Sequence, residues 1–264
     1  MTTRGTRKDI WHGSSSPGAR DKNSKQQGHI DMTYGIELSL TSLANRYGSD
    51  KGNQHESRHQ YTYIYDLLFS PMRDSEINFL EMGLARGGPE LGQPIDRIVD
   101  SPSVSMWLEY FSSAKIFGFD ISDFSHIKHD RFTFIRGDSG NRPDLRKVAA
   151  SAPYFNVIID DGSHASYHQQ LGLKVLFDKL LPGGLYIIED LHWQSPYFES
   201  VLPSVPKTGT FLRELFENNK YLENSLFSEE DAKDLFLSTS AFAVFGHVDS
   251  EYRGPKIAIL KKIS

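Results

Sequence analysis

Short, nearly continuous apolar runs recur through the middle of the chain, each ending in a charged or glycine-containing turn. The pattern predicts strands at Asn78–Met82, Lys115–Asp120, Phe132–Arg136, Asn156–Asp160 and Gly184–Glu189. Apolar positions at three- and four-residue spacing between them predict helices near 103–112, 142–151 and 166–180. Two more helical stretches precede the first strand, one from Ser39 to the Tyr47-Gly48-Ser49-Asp50-Lys51-Gly52 turn and one over His59–Phe69. Helices near 208–222 and 229–236 lead to late strands at about 238–246 and 255–261, which could pair as a hairpin through His247–Gly254. Strands that are apolar on both sides belong in a sheet covered on both faces. The expected fold is therefore α/β and Rossmann-like: a mostly parallel seven-stranded sheet, helices on both faces, and a C-terminal antiparallel hairpin.

Two of these strands stop in carboxylates: Ile158-Ile159-Asp160-Asp161-Gly162-Ser163-His164 and Leu185-Tyr186-Ile187-Ile188-Glu189-Asp190. The 28 positions from Asp161 to Glu189 suit one strand–helix–strand unit, which brings both ends to the ligand-binding edge of the sheet. Asp161, Glu189 and Asp190 gathered there repel one another unless a cation sits among them. Their hard oxygens favour Mg²⁺, Ca²⁺ or Mn²⁺ over zinc. Side-chain alternation favours Asp161 over Asp160 as the ligand. His164 stands beside that ion as a candidate proton acceptor or, alternatively, caps the helix that follows. His168, one helical turn on, reads as a surface or packing residue.

Composition narrows the classes. A formal net charge of −5 over 264 residues, with both signs interspersed, argues against a nucleic-acid partner. With no cysteine there is no disulfide, thiolate metal site or cysteine nucleophile. No apolar run is long enough for a membrane span, and the N-terminus lacks a signal-peptide layout, so a cytoplasmic enzyme is the expectation. Residues 1–32, rich in Gly, Ser, Lys, Arg and Gln, read as a disordered leader or tail with Met32 as a candidate start; one domain is expected over 33–264. Gly87–Ser101, with Pro89, Gly92 and Pro94 within it, interrupts the usual strand-to-helix step and reads as an inserted loop near the ligand edge.

The first strand runs Phe79-Leu80-Glu81-Met82-Gly83 into a glycine turn that lacks the dinucleotide spacing G-x-G-x-x-G. The second ends in Gly118-Phe119-Asp120, where a carboxylate usually takes ribose hydroxyls. The third ends in Arg136-Gly137-Asp138, where an acid could take an adenine amino group. A nicotinamide enzyme would account for Asp120 only. S-adenosylmethionine (SAM) accounts for Glu81, Gly83, Asp120 and Asp138 together with a neighbouring metal.

The ordered segments Tyr47-Gly48-Ser49-Asp50-Lys51, His59-Gln60-Tyr61-Thr62, Leu80-Glu81-Met82-Gly83, Met106–Phe111, Gly118–Ile121, Ile159–His164 and Pro182–Asp190 resemble the methyltransferase domain of the metal-dependent sugar O-methyltransferases of macrolide biosynthesis, of the mycinamicin and demethylmacrocin type. The resemblance runs from about Tyr47 to the C-terminus, without the large N-terminal domain of those enzymes. It implies a class I SAM-dependent fold, Asp161, Glu189 and Asp190 as Mg²⁺ (or Mn²⁺) ligands, His164 as general base, and Glu81, Gly83, Asp120 and Asp138 as cofactor positions. The substrate it implies is a small glycosylated molecule. Leu191-His192-Trp193-Gln194, after the metal pair, would read the acceptor or pack on the sheet edge, and Tyr61, Tyr65 and Trp107 are expected in the core. Chelation of adjacent hydroxyls leaves a catechol-type acceptor as an alternative. A non-catalytic SAM-binding module is a further alternative, and the helix pair before the first strand could support a homo-oligomer.

Overall fold

The computed structural model describes residues 39–57, 59–96, 98–246 and 255–264. The expected tail at 1–32 and the turn of the expected hairpin lie outside the described residues. Seven strands form one sheet in the order β3-β2-β1-β4-β5-β7-β6. They are β1 (Asn78–Met82), β2 (Lys115–Asp120), β3 (Phe132–Arg136), β4 (Phe155–Asp160), β5 (Leu180–Ile188), β6 (Thr239–Gly246) and β7 (Pro255–Lys262). The first five are parallel; β7 runs antiparallel to both β5 and β6. The order reverses between β1 and β4, and it is in the crevice beyond such a switch that α/β sheets bind ligands.

Alternation sorts the strand residues onto two cores. Phe79, Val157, Ile159 and Ile187 face a layer made by α1 (Leu40–Tyr47), α2 (Tyr61–Phe69) and α3 (Pro102–Tyr110), where Tyr65, Phe69, Trp107 and Phe111 stack closely. Leu80, Met82, Ile158, Tyr186 and Ile188 face the opposite layer, α4 (Arg142–Ser151), α5 (Ser166–Leu176), α7 (Thr208–Phe216) and α8 (Glu229–Leu237). A short helix, α6 (Pro196–Val201), follows β5 at the ligand edge. Among the described residues, no helix is long and apolar enough to cross a membrane.

Local signals set the helix ends. Ser39, Ser101, Asn141 and Ser228 each accept a backbone N–H from their own first turn. Gly48, at φ +73°, stops α1 in the left-handed conformation that glycine adopts without steric cost. Three boundaries differ most from the sequence reading, one of them the helix expected near 208–222, which ends at Phe216. The helix expected to reach 180 ends at Leu176, and a single 3-10 turn, Phe177–Lys179, leads into β5. That strand begins at Leu180, before the expected Gly184, because the Pro182-Gly183 kink is absorbed as an irregularity in its pairing with β4.

Candidate active site

The carboxyl ends of β1 to β5 open into a cavity of about 490 Å³, within the range of small-molecule sites. Its floor holds Gly83, Asp120, Asp138, Asp161, His164 and Asp190. The inserted stretch after β1 forms part of the wall through Gly87, Gly88, Pro89 and Leu91, and the 3-10 turn at Pro89–Leu91 packs against α6 across the opening. Trp193 and Phe198 also line the cavity.

On the nucleotide side the strand ends are pre-set by backbone bonds. Asp120 accepts the N–H of Leu84 at 2.8 Å and that of Ser122 at 2.7 Å, which fixes its carboxylate at the cavity floor. Asp138 accepts the N–H of Gly140 at 2.7 Å. Gly83 has φ +83°, and a Cβ there would lie 2.0 Å from the carbonyl oxygen of Asp161. Glycine at 83 therefore serves the contact between the β1 and β4 loops. Glu81 is the exception among the expected cofactor residues. It lies on the α1–α3 side of β1, fully buried and outside the cavity lining, accepting from the Ser103 hydroxyl at 2.7 Å. Burial, opposed in part by the Lys51 charge, pushes its pKa up to about 7.

On the acidic side the structure brings Asp161, His164 and Asp190 together, with one ligand atom from each lying within 4.8 Å of the others. Strict alternation would send Asp190 to the opposite face from Glu189. Asp190 has φ +53° and His164 φ +57°, and these left-handed residues turn both side chains into the same corner. Asp and His enter this region more readily than most residues, at a cost of order 1 kcal/mol or more each, and such strain gathers at functional sites. His164 Nε2 lies 3.7 Å from Asp190 Oδ2, while His164 Nδ1 is buried with no hydrogen-bond partner. Burial alone would raise the pKa of Asp190, but His164, His59 and the Tyr61 hydroxyl, which donates to it, reverse that and lower it. The helix after His164 has Ala165 at its N-cap, so His164 does not act as its cap.

Glu189, expected in the metal set, is turned away from that corner. Both its carboxylate oxygens accept from Lys51 Nζ at 2.9 Å, and the Tyr65 hydroxyl donates to one of them. Asp161 also accepts from Lys51. Burial raises the Asp161 pKa to about 6 against the pull of Lys51, and raises Glu189 well above the usual carboxylate range. Asp160 lies on the other face, as alternation predicts, beside Gly172 and Tyr186, and burial lifts it to about 6.

Sequence reasoning missed several residues. Lys51 sat in a polar turn that reads as exposed surface. Tyr61 and Tyr65 do lie in the core, yet their hydroxyls donate to Asp190 and Glu189. His59 brings Nδ1 to 3.4 Å from Asp190, and burial lowers its pKa to about 4. His168 lines the cavity and shares a 2.6 Å hydrogen bond with Ser163, so it steadies the Asp161–His164 loop. The available signal for the tyrosines was their helical spacing opposite two acidic strand ends.

No family model matches the chain. It is 34% identical over 188 residues to the 8-demethyl-8-alpha-L-rhamnosyl tetracenomycin-C 2'-O-methyltransferase of Streptomyces olivaceus, covering 70% of this chain and 46% of that one. It is 37% identical over 155 residues to the demethylmacrocin O-methyltransferase of Streptomyces fradiae, covering 58% and 36%. The chain thus spans less than half the length of these curated relatives. Among solved structures, the methyltransferase MycE of the mycinamicin pathway, in complex with Mg, SAH and mycinamicin VI, superposes with a TM-score of 0.61 at 26% identity, over 85% of this chain and 54% of that one. The chain's curated homologues are sugar O-methyltransferases of the mycinamicin, demethylmacrocin and tetracenomycin type, and its fold is that of the class I SAM-dependent methyltransferases.

Proposed function

We propose that this chain transfers a methyl group from SAM to a hydroxyl of a sugar moiety on a small glycosylated molecule, assisted by Mg²⁺ or Mn²⁺. The observation that carries the reading is the convergence of Asp161, His164 and Asp190 in a cavity shared with Asp120 and Asp138. The donors fit a hard divalent cation: carboxylate oxygens from two strand ends, at a site open to the cavity. They fit a nucleoside as well, since Asp120 and Asp138 stand at the ends of adjacent strands and both line the cavity.

When bound, the cofactor supplies an electrophilic methyl group and the cation makes a nearby hydroxyl more acidic. The chain's residues do the rest. Asp161 and Asp190 would hold the cation, with Glu189 behind Asp161 as the third expected ligand should its carboxylate turn outward. Asp120 and Asp138 would hold the ribose and adenine, and Glu81 would act on the cofactor side through Ser103 and Lys51. His164, oriented by Asp190, accepts the proton that leaves the acceptor hydroxyl as the new C–O bond forms and the C–S bond breaks. General-base help of this kind contributes ~10²–10⁴-fold. Trp193, 44% exposed and edge-on to His164 at 5.6 Å, offers an aromatic face beside the reacting hydroxyl. The net charge of −5 fits a small-molecule partner in the cytoplasm better than a nucleic acid.

Isothermal titration with SAM and with S-adenosylhomocysteine, followed by methyl transfer to a panel of glycosides, tests the reading. Binding of both, and turnover abolished by EDTA, is the expected result. No binding of either cofactor form overturns it.

A further inference from the structure

Lys51 is the best-buried cation of the described chain, with its side chain 1% exposed, and beyond its contact with Glu81 the proposed reaction gives it no task. Its ammonium contacts carboxylates from three adjacent strand ends: Glu81 in the last residues of β1 at 3.6 Å, Asp161 after β4, and Glu189 after β5 at 2.9 Å. Register explains the gathering. Glu81 pairs with Ile159, and Ile159 with Ile187, so Asp161 and Glu189 lie two residues further along on the same face as Glu81. Three negative groups there face one positive group.

The lysine is held in place by its backbone. Its carbonyl accepts the N–H of Thr62 at 3.1 Å, and Gly52, next in the chain, accepts from Gln60 at 3.1 Å, which ties the turn to the start of α2. Burial opposes the Lys51 charge, but Asp161, Glu189 and Glu81 outweigh it and keep the ammonium charged. A buried charge persists only when paired in this way. Asp161 is shared: one carboxylate faces Lys51 and also belongs to the corner with His164 and Asp190.

We infer that Lys51 is an internal counter-ion which holds Asp161 and Glu189 in the metal-free protein and competes with the divalent cation for Asp161, so that it sets the metal affinity of the site. The inference rests on the proposed cation site for its second half only. Removing the ammonium should leave buried Glu81 and Glu189, and Asp161 at the cavity edge, without their counter-charge, and should also remove a positive charge that repels the incoming ion.

The test uses the full chain, its Lys51→Met variant and the double variant Lys51→Met/Glu189→Gln. Thermal melts in EDTA should show Lys51→Met well below wild type, with the double variant recovering much of the loss because one unpaired charge has gone. Titration with magnesium chloride alone should show Lys51→Met binding about tenfold more tightly or better, where a purely structural lysine would leave affinity unchanged or weaker. If Lys51→Met does not fold in EDTA, folding on addition of magnesium supports the competition, and failure to fold overturns it. Magnesium binding no tighter than wild type overturns the competition, and a double variant no more stable than the single overturns the counter-ion. If wild type itself takes up no magnesium, the functional reading fails, while the EDTA melts still decide the counter-ion.

Discussion

Two sets of carboxylates lie along the carboxyl edge of one sheet and live in opposite conditions. Asp120, Asp138 and Asp190 open onto the cavity, where backbone N–H groups, histidines or a tyrosine hydroxyl hold them. Glu81 and Glu189 lie closed beneath it, fully buried, joined to Asp161 by a single ammonium. Asp161 belongs to both sets. Depth along the strand separates Glu81, two residues short of Asp120 and Asp161 on the same face, and the left-handed turn at Asp190 separates that residue from Glu189. Neighbouring acids can thus divide between meeting ligands and setting the charge environment in which ligands are met.

The sharpest way to break this division is on the open side. His164→Ala removes the proton acceptor without touching the buried charges, so turnover should fall ~10²–10⁴-fold while S-adenosylhomocysteine affinity and thermal stability stay near wild type. Steady-state kinetics beside a calorimetric titration checks this; a matching loss of cofactor affinity would move His164 to the binding side. Gly83→Ala strikes the seam between the sets. A methyl group 2.0 Å from the Asp161 carbonyl, at φ +83°, forces the β1 and β4 loops apart. Denaturant unfolding should show a loss of about 3 kcal/mol, with weakened metal and cofactor binding together.

On the closed side, Tyr65→Phe deletes the hydroxyl that donates to Glu189 and leaves the ring in its aromatic stack. Chemical denaturation should register about 1.5–3 kcal/mol, the range for a hydrogen bond to a charged group. Cofactor affinity should be unchanged, because Tyr65 does not reach the cavity.

The sheet was legible because alternation and short apolar runs depend on local sequence: apart from the early start of β5 the strands fall where the pattern puts them, and the helices do so except for α6 and the shortened ends of α5 and α7. Asp161 rather than Asp160 as the outward acid was legible for the same reason. Glu189 was not. Its position at the end of an apolar run is the same as that of an open strand-end acid, and only the arrival of Lys51 from 138 positions upstream separates the two. Lys51 lies in a Gly-Ser-Asp-Lys-Gly turn whose composition matches solvent-exposed loops, and lysine is seldom buried. The left-handed turns at His164 and Asp190, which break the alternation, depend on packing around them rather than on a glycine signal.

The smallest expected effect is a slope. Glu81 titrates near 7 in the fold because burial disfavours its charge, well above its unfolded value near 4.5. An acid raised in this way binds its proton more tightly folded than unfolded, so stability falls as pH rises through the folded value. His59 and His168, both lowered by burial, act in the opposite sense, but only below about pH 6.5, where the unfolded chain takes up protons. From pH 6.5 to 8 the buried acids act without that opposition, and Lys51, raised well above its ordinary value, stays charged in both states. Metal-free protein should therefore lose about 1 kcal/mol over that interval from Glu81 alone. Glu81→Gln should flatten the slope, leaving what Glu189 contributes. An unchanged slope in the variant would mean that Lys51 keeps Glu81 ionised, and that the closed set bears its charge at neutral pH without loss.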